Sequence, residues 1–172
     1  MPYHAHNIGS IRGLLDNFVA AGYGGVIQNV TVGISDINAT PQIIPANTGI
    51  VSESKVVTQD VANDGLRFGF SGVWVLYVII AVDFEIVNNG RVFSVEVFDV
   101  TTASVVTSIF VAVGRNAEGS TFTAPLMVEV GLGNVGDLFV IRLVSTTDTF
   151  TGVALTSYQL SASLVSELLV IP

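Results

Sequence analysis

The sequence predicts an all-β domain, a two-layered sandwich of the jelly-roll type, on two observations. From about residue 50 onward, segments of strand length rich in Val, Ile, Phe and Thr follow one another, divided by Gly, Asn, Asp and Ser. One of them, Gly72–Ile86, is apolar on both faces. It holds the single Trp, and its first eleven residues, before Asp83, carry no charge. β-Branched and aromatic residues dominate it, and it lacks Pro and internal Gly, which favours a strand over a helix. Alternation places Trp74, Leu76, Val78, Ile80, Val82 and Phe84 on one side and Val73, Val75, Tyr77, Ile79 and Ala81 on the other. Both sides need cover, and a single domain core supplies it for one.

The composition narrows the function classes. Of the 172 residues, 50% are hydrophobic and only 12% charged, about half the usual charged share. A chain this apolar implies surface hidden in an oligomer. No apolar run reaches the ~20 residues of a membrane-spanning helix, so no membrane partner is expected. The opening residues, MPYHAHNIGSIRG, lack the basic-then-apolar layout of a secretory signal. Net charge is −8, with six Lys and Arg scattered singly. That excludes a phosphate-neutralising stripe, and nucleic acid with it. Cysteine is absent, which removes disulfides, thiolate metal sites and a cysteine nucleophile.

In chain order, residues 1–9 read as an arm. Ser10 then precedes Ile11, Leu14, Leu15, Phe18 and Val19, the spacing of one helical face. Ser10 suits an N-cap and Gly22 a stop. A helix of about eleven residues does not stand alone in water. Its apolar face packs either on its own domain or, as an anchor, on a larger surface. In residues 22–50, GVIQNVTVGI reads as a strand, and DINATPQIIPANTG, punctuated by Pro41, Pro45 and Gly49, as linker. The expected organisation divides at residue 50: an arm, short helix and linker over 1–49, and a jelly-roll domain over 50–172.

The strands expected after residue 50 are Lys55–Gln59, Leu66–Phe70, Gly72–Ile86, Arg91–Val100, Ser104–Gly114, Thr121–Val130, Leu138–Ser145 and Gly152–Val165. Asn88-Asn89-Gly90 carries the Asn-Gly pair typical of a hairpin. Arg91–Val100 sets Phe93, Val95 and Val97 against Ser94 and Glu96. Ser104–Gly114 sets Ile109, Val111 and Val113 against Ser104 and Ser108. These read as strands with one wet face, so one sheet is expected to face water and the other to be covered by neighbouring subunits.

The segment Asp64-Gly65-Leu66-Arg67-Phe68, followed by Ser71-Gly72-Val73-Trp74-Val75-Leu76-Tyr77, resembles a short strand, then Gly-x-aromatic opening a long one. Leu132, with Val135-Gly136-Asp137-Leu138-Phe139-Val140, is similar to a leucine, short gap, Gly-Asp and apolar strand. Phe150-Thr151-Gly152-Val153-Ala154-Leu155 resembles a Phe-x-Gly-x-x-Leu segment. Together, over roughly residues 50–167, these resemble the tumour necrosis factor and complement globular-head family. The resemblance implies a ten-stranded jelly roll in a tight trimer, with the long strand's sheet facing the three-fold axis. It also implies a choice of roles, among them secreted ligands, spore-surface proteins and decoration or fibre proteins of tailed phages.

Few residues suggest chemistry. Gly131-Leu132-Gly133-Asn134-Val135-Gly136 matches G-x-G-x-x-G, but Leu138–Ser145 reads as a strand where a dinucleotide site needs a helix; a turn is the better reading. His4 and His6 are the only histidines. Copies on three arms would offer imidazoles to a metal, whereas two incidental tail residues are the simpler account. Asp83 and Glu85 share a face where the long strand ends; they suit either a calcium ring about an axis or polar capping of an apolar strand. Asp99, Glu118, Asp137 and Asp148 fall near expected loops without a spacing that fixes a catalytic pair. No cofactor is expected, and a jelly roll without His or Cys is not expected to be an enzyme.

The function expected is a structural protein of a phage virion: a homotrimeric decoration or cement protein on the capsid surface. Ile11, Leu14, Leu15, Phe18 and Val19 would grip the major capsid protein or another virion protein. Val75, Tyr77, Ile79 and Trp74 would form the trimer contact. The alternatives are a receptor- or glycan-binding fibre tip, or a secreted or spore-surface module.

Overall fold

The computed structural model describes residues 24–50 and 56–167. Ile11, Leu14, Leu15, Phe18 and Val19 of the expected helix, and His4 and His6, lie outside them. Within them the chain forms twelve strands: β1 (Gly24–Gln28), β2 (Val32–Gly33), β3 (Gln42–Ile43), β4 (Thr48–Ile50), β5 (Val57–Asp60), β6 (Gly65–Phe68), β7 (Gly72–Val87), β8 (Arg91–Asp99), β9 (Ser104–Val113), β10 (Ala117–Val130), β11 (Leu138–Val144) and β12 (Ala154–Glu167).

They make two six-stranded sheets, packed face to face. One runs β10-β7-β12-β1-β4, with β2 beside β12; the other runs β5-β6-β11-β8-β9, with β3 beside β11. Every pairing is antiparallel. β7 takes a central place because it is apolar along nearly its whole length. β10 pairs with it from Ala117↔Val87 to Val130↔Gly72, and β12 from Ala154↔Asp83 to Glu167↔Gly72.

Two expectations change here. The Asn-Gly turn after β7 is not a hairpin within a sheet. Both edges of β7 are already taken, so Asn88–Gly90 carries the chain across to β8 in the other sheet. The boundary at residue 50 also falls away. β1 pairs with β12 and β4, β3 pairs with β11, and Val26, Ile37 and Ile44 are fully buried in the core. The stretch read as linker is thus part of the sandwich. Its strands are two or three residues long among prolines, too short to show a period.

The core alternates along each strand. Trp74, Leu76, Val78, Ile80 and Val82 of β7 meet Phe93, Val95 and Val97 of β8 and Phe139, Ile141 and Leu143 of β11. Phe68 lies 4.7 Å from the Trp74 ring and 5.1 Å from Phe139. Phe84, Phe93 and Phe150 form a second aromatic group, in edge-on contacts at 5.1 and 5.5 Å. Gly65 fits under β11 because a Cβ there would stand 2.4 Å from the Phe139 carbonyl oxygen.

The loops are fixed by acids rather than left open. Asp99 is buried and accepts the backbone N–H of Thr101 and Thr102 at 2.9 and 3.2 Å. Asp60 accepts from the Asn63 side chain at 2.8 Å and from Arg67 at 2.9 Å. Asn63, and after it Arg67, hold the Asp60 carboxyl below its ordinary range against the opposing effect of burial. The lowered pKa favours the folded state above an unfolded carboxylate pKa of about 3.9, and that contribution disappears as pH falls through the folded value.

Trp74→Ala is expected to lower the unfolding free energy by about 3–5 kcal/mol in urea titrations, the range for a buried large aromatic. Asp60→Asn is expected to lower stability at pH 7 and to flatten its loss on acidification, read from melts between pH 2 and pH 7.

Candidate interaction surface

The face of the β10-β7-β12-β1-β4 sheet turned away from the core is built by alternation. On β7 it presents Val73, Val75, Tyr77, Ile79 and Ala81, then Asp83 and Glu85. On β10 it presents Thr121, Thr123, Pro125, Met127 and Glu129, and on β12 Ser157, Gln159, Ser161, Ser163 and Val165. Register lines these up in rows. Val75 stands between Met127 and Ser163, Tyr77 between Pro125 and Ser161, and Ile79 between Thr123 and Gln159.

The face is an apolar ridge between unequal flanks. Tyr77 is 49% exposed and Met127 65%. Val73, Val75 and Ile79 are half-covered by their neighbours. On the β12 side Ser157 and Ser163 are short and polar, whereas Ser161, beside Tyr77, is already buried. No Lys or Arg lies on these three strands; Asp83 and Glu85 mark one end of the ridge and Glu129 the other. The expected group of Val75, Tyr77 and Ile79 is therefore assembled on one exposed face.

Trp74 does not join them. It is fully buried, on the opposite parity, against Phe68. Its assignment to a subunit contact is corrected to the sandwich core. Both faces of β7 are about equally apolar, so β7 alone does not tell inside from outside. The neighbours do: the residues opposite Tyr77 and its companions include Thr123, Glu129, Ser161 and Ser163, whereas those opposite Trp74 and its companions are Val128, Leu126, Ala124 and Phe122.

The chemical candidates resolve into structure. Leu132–Asn134 is a single 3-10 turn between β10 and β11, with Gly136 in the left-handed region at φ +88°. Gly136 donates its N–H to the Phe68 carbonyl at 2.8 Å and accepts from Arg67 at 2.9 Å. Asp137 accepts from the Asn134 side chain at 2.9 Å. Asp83 and Glu85 border an open depression of about 780 Å³ with Glu118 and Gly119, and the Thr151 hydroxyl donates to Glu85 at 2.6 Å. Among the described residues no three His, Cys, Asp or Glu side chains come together to hold a metal. Tyr158 and Gln28 are paired in register on neighbouring strands, and among the described residues neither the phenol nor Gln28 Oε1 has a hydrogen-bond partner. Burial, with a smaller contribution from Asp64, drives the Tyr158 pKa well above its ordinary value, so the phenol stays neutral.

Comparison with solved structures places this arrangement. PRD1 vertex protein P5 superposes with a TM-score of 0.51 at 14% identity, over 84% of this chain and 73% of that one. The globular domain of zebrafish complement 1qA protein gives 0.54 at 8%, over 85% and 98%. Eiger TNF from S. frugiperda gives 0.56 at 12%, over 88% and 95%. The fold is the tumour necrosis factor-like jelly roll. No protein-family model matches the sequence, and no curated protein does.

The alternation carries a direct test. Tyr77→Glu and Ile79→Glu are expected to keep native β-structure by circular dichroism, because both side chains point away from the core. Val78→Glu, one residue along, buries an unpaired carboxyl and is expected to abolish folding.

Proposed function

We propose that this chain is a non-enzymatic structural protein of a virion, a homotrimer that decorates or cements a capsid. The observation that carries the reading is the apolar ridge of Val75, Tyr77, Ile79, Pro125 and Met127, with Tyr77 and Met127 exposed, on a sheet face that no other strand of the described residues covers. Sister copies supply that cover. Burial of apolar surface contributes roughly 25 cal/mol per Å², and a closed three-fold ring uses the ridge on every copy without leaving a free end.

The virion reading is supported by the fold shared with PRD1 vertex protein P5 and by a sandwich sequence that contains neither cysteine nor histidine. Attachment is assigned to residues 1–22, with Ile11, Leu14, Leu15, Phe18 and Val19 as the gripping face toward a capsid protein. Three weak grips joined by one trimer act together through effective concentration, so each arm needs only modest affinity.

The test is copurification. The full chain is expected to band with intact virions in a density gradient. A chain lacking residues 1–22 is expected to keep its oligomeric mass and to fall at least tenfold in virion occupancy. Undiminished occupancy without the arm rejects the anchor, and absence of the full chain from virions rejects the virion reading.

A further inference from the structure

The two sheets end in four edge strands, and three are guarded. β4 has three residues and β5 four, the latter ending at Asp60. β10 is long but carries Glu118, Pro125 and Glu129. Short length, charge and proline are the usual means of stopping an edge from pairing with another chain. β9 has none of them. It is ten residues long, SVVTSIFVAV, without charge or proline. Its pairing with β8 shifts register near Val97/Phe98, but from Thr107 to Val113 it is regular. Its other edge meets no strand among the described residues.

The same strand carries the most exposed large apolar side chain of the described residues, Phe110 at 76%. Phe110 lies on the outward face, opposite Ser94, while Val111 and Val113 turn into the core. Val92, paired with Ala112, adds to the patch at 38% exposed, and Val105 at 47% lies farther along. This is the sheet expected to face water.

We propose that β9 is a second self-association edge: two copies pair antiparallel through β9 about a two-fold axis, so that the β5-β6-β11-β8-β9 sheet continues from one molecule into the next. The occupant is a second copy because the strand suits itself. Each molecule is acidic overall, at −8, and an uncharged edge is where two such bodies approach without opposing carboxylates. The ends of β9 also differ in sign. Exposed Arg115, which has no ion-pair partner among the described residues, follows its Val113 end, while half-buried Asp137 stands near its Ser104 end, bonded to the Asn134 amide that also reaches buried Asp99. Antiparallel pairing brings the basic end of each copy toward the acidic end of the other. The two exposed Phe110 patches then lie on one continuous surface, side by side. A two-fold contact at β9 and a three-fold contact at β7 use different strands, and together they link trimers into a larger closed or sheet-like array, which is what a coat over a particle requires.

Sedimentation velocity of the full chain at tens of micromolar tests this, with a Ser108→Lys/Phe110→Lys variant whose new charges face solvent and meet their like across the two-fold. The wild type is expected to contain an even number of chains, and the variant to fall to three chains or to one, with an unchanged circular dichroism spectrum. Two chains falling to one supports the edge without the trimer, and six falling to three supports both. A wild-type mass of three chains that the variant leaves unchanged overturns the edge, including the case in which a different protein occupies β9. Because the chain has no cysteine, Ser108→Cys gives a second reading that does not depend on the lysine variant folding. Mild oxidation under native conditions is expected to yield a disulfide-linked pair on non-reducing gels, and its absence overturns the proposal.

Discussion

The rest of the structure depends on β7 being hydrogen-bonded along both edges while apolar on both faces. Pairing with β10 and β12 uses up its backbone donors and acceptors. The only freedom left is which face turns inward. The Trp74 face takes the core with Phe68, Phe139 and Leu143. The Tyr77 face is then committed to the outside, where water alone is a poor neighbour for Val75, Ile79 and Met127. A central strand of this composition fits a molecule whose finished surface includes another molecule.

Much of this was legible in the sequence, and the failures have physical causes. The long strands were clear because alternation over nine or more residues is hard to mistake. The outward set Val75, Tyr77 and Ile79 was grouped correctly by parity. Trp74 does not belong to it: size and aromaticity, which favour interfaces, favour cores equally, and Trp74 is fully buried. The flanking strands resolve the choice, since Ser161 and Ser163 line one side of the ridge and Thr123 and Glu129 the other. The hairpin at Asn89-Gly90 failed for a different reason. Turn chemistry reports that the chain reverses, but which sheet it enters is decided by whether β7 has an edge to offer. The strands in the stretch read as linker escape notice because β3 and β4 are two and three residues long, and the partner of β3 lies far off in sequence, in β11.

Charge placement fits a surface meant for contact. The ridge has no Lys or Arg on its three strands, its carboxylates stand at its ends, and the paired ions lie elsewhere. Arg142 meets Glu96 at 2.6 Å and covers the Phe98 ring at 3.6 Å on the opposite sheet, while Arg67 meets Asp60 at 2.9 Å at that sheet's far side. Acids around a closed contact repel their copies, so the ridge must supply enough apolar burial to exceed that repulsion, which salt weakens. The loop acids Asp99 and Asp137, by contrast, act within one chain, holding turns through backbone and Asn134 contacts.

The most direct measurement is sedimentation equilibrium of the full chain and of Tyr77→Glu at micromolar concentration. The account predicts that the wild type weighs a multiple of three times the 18.1 kDa chain and that the single charge on the ridge removes the three-fold species while the β-fold is retained. A wild-type chain that sediments at the mass of one copy contradicts it, and so does a Tyr77→Glu chain that keeps the wild-type mass.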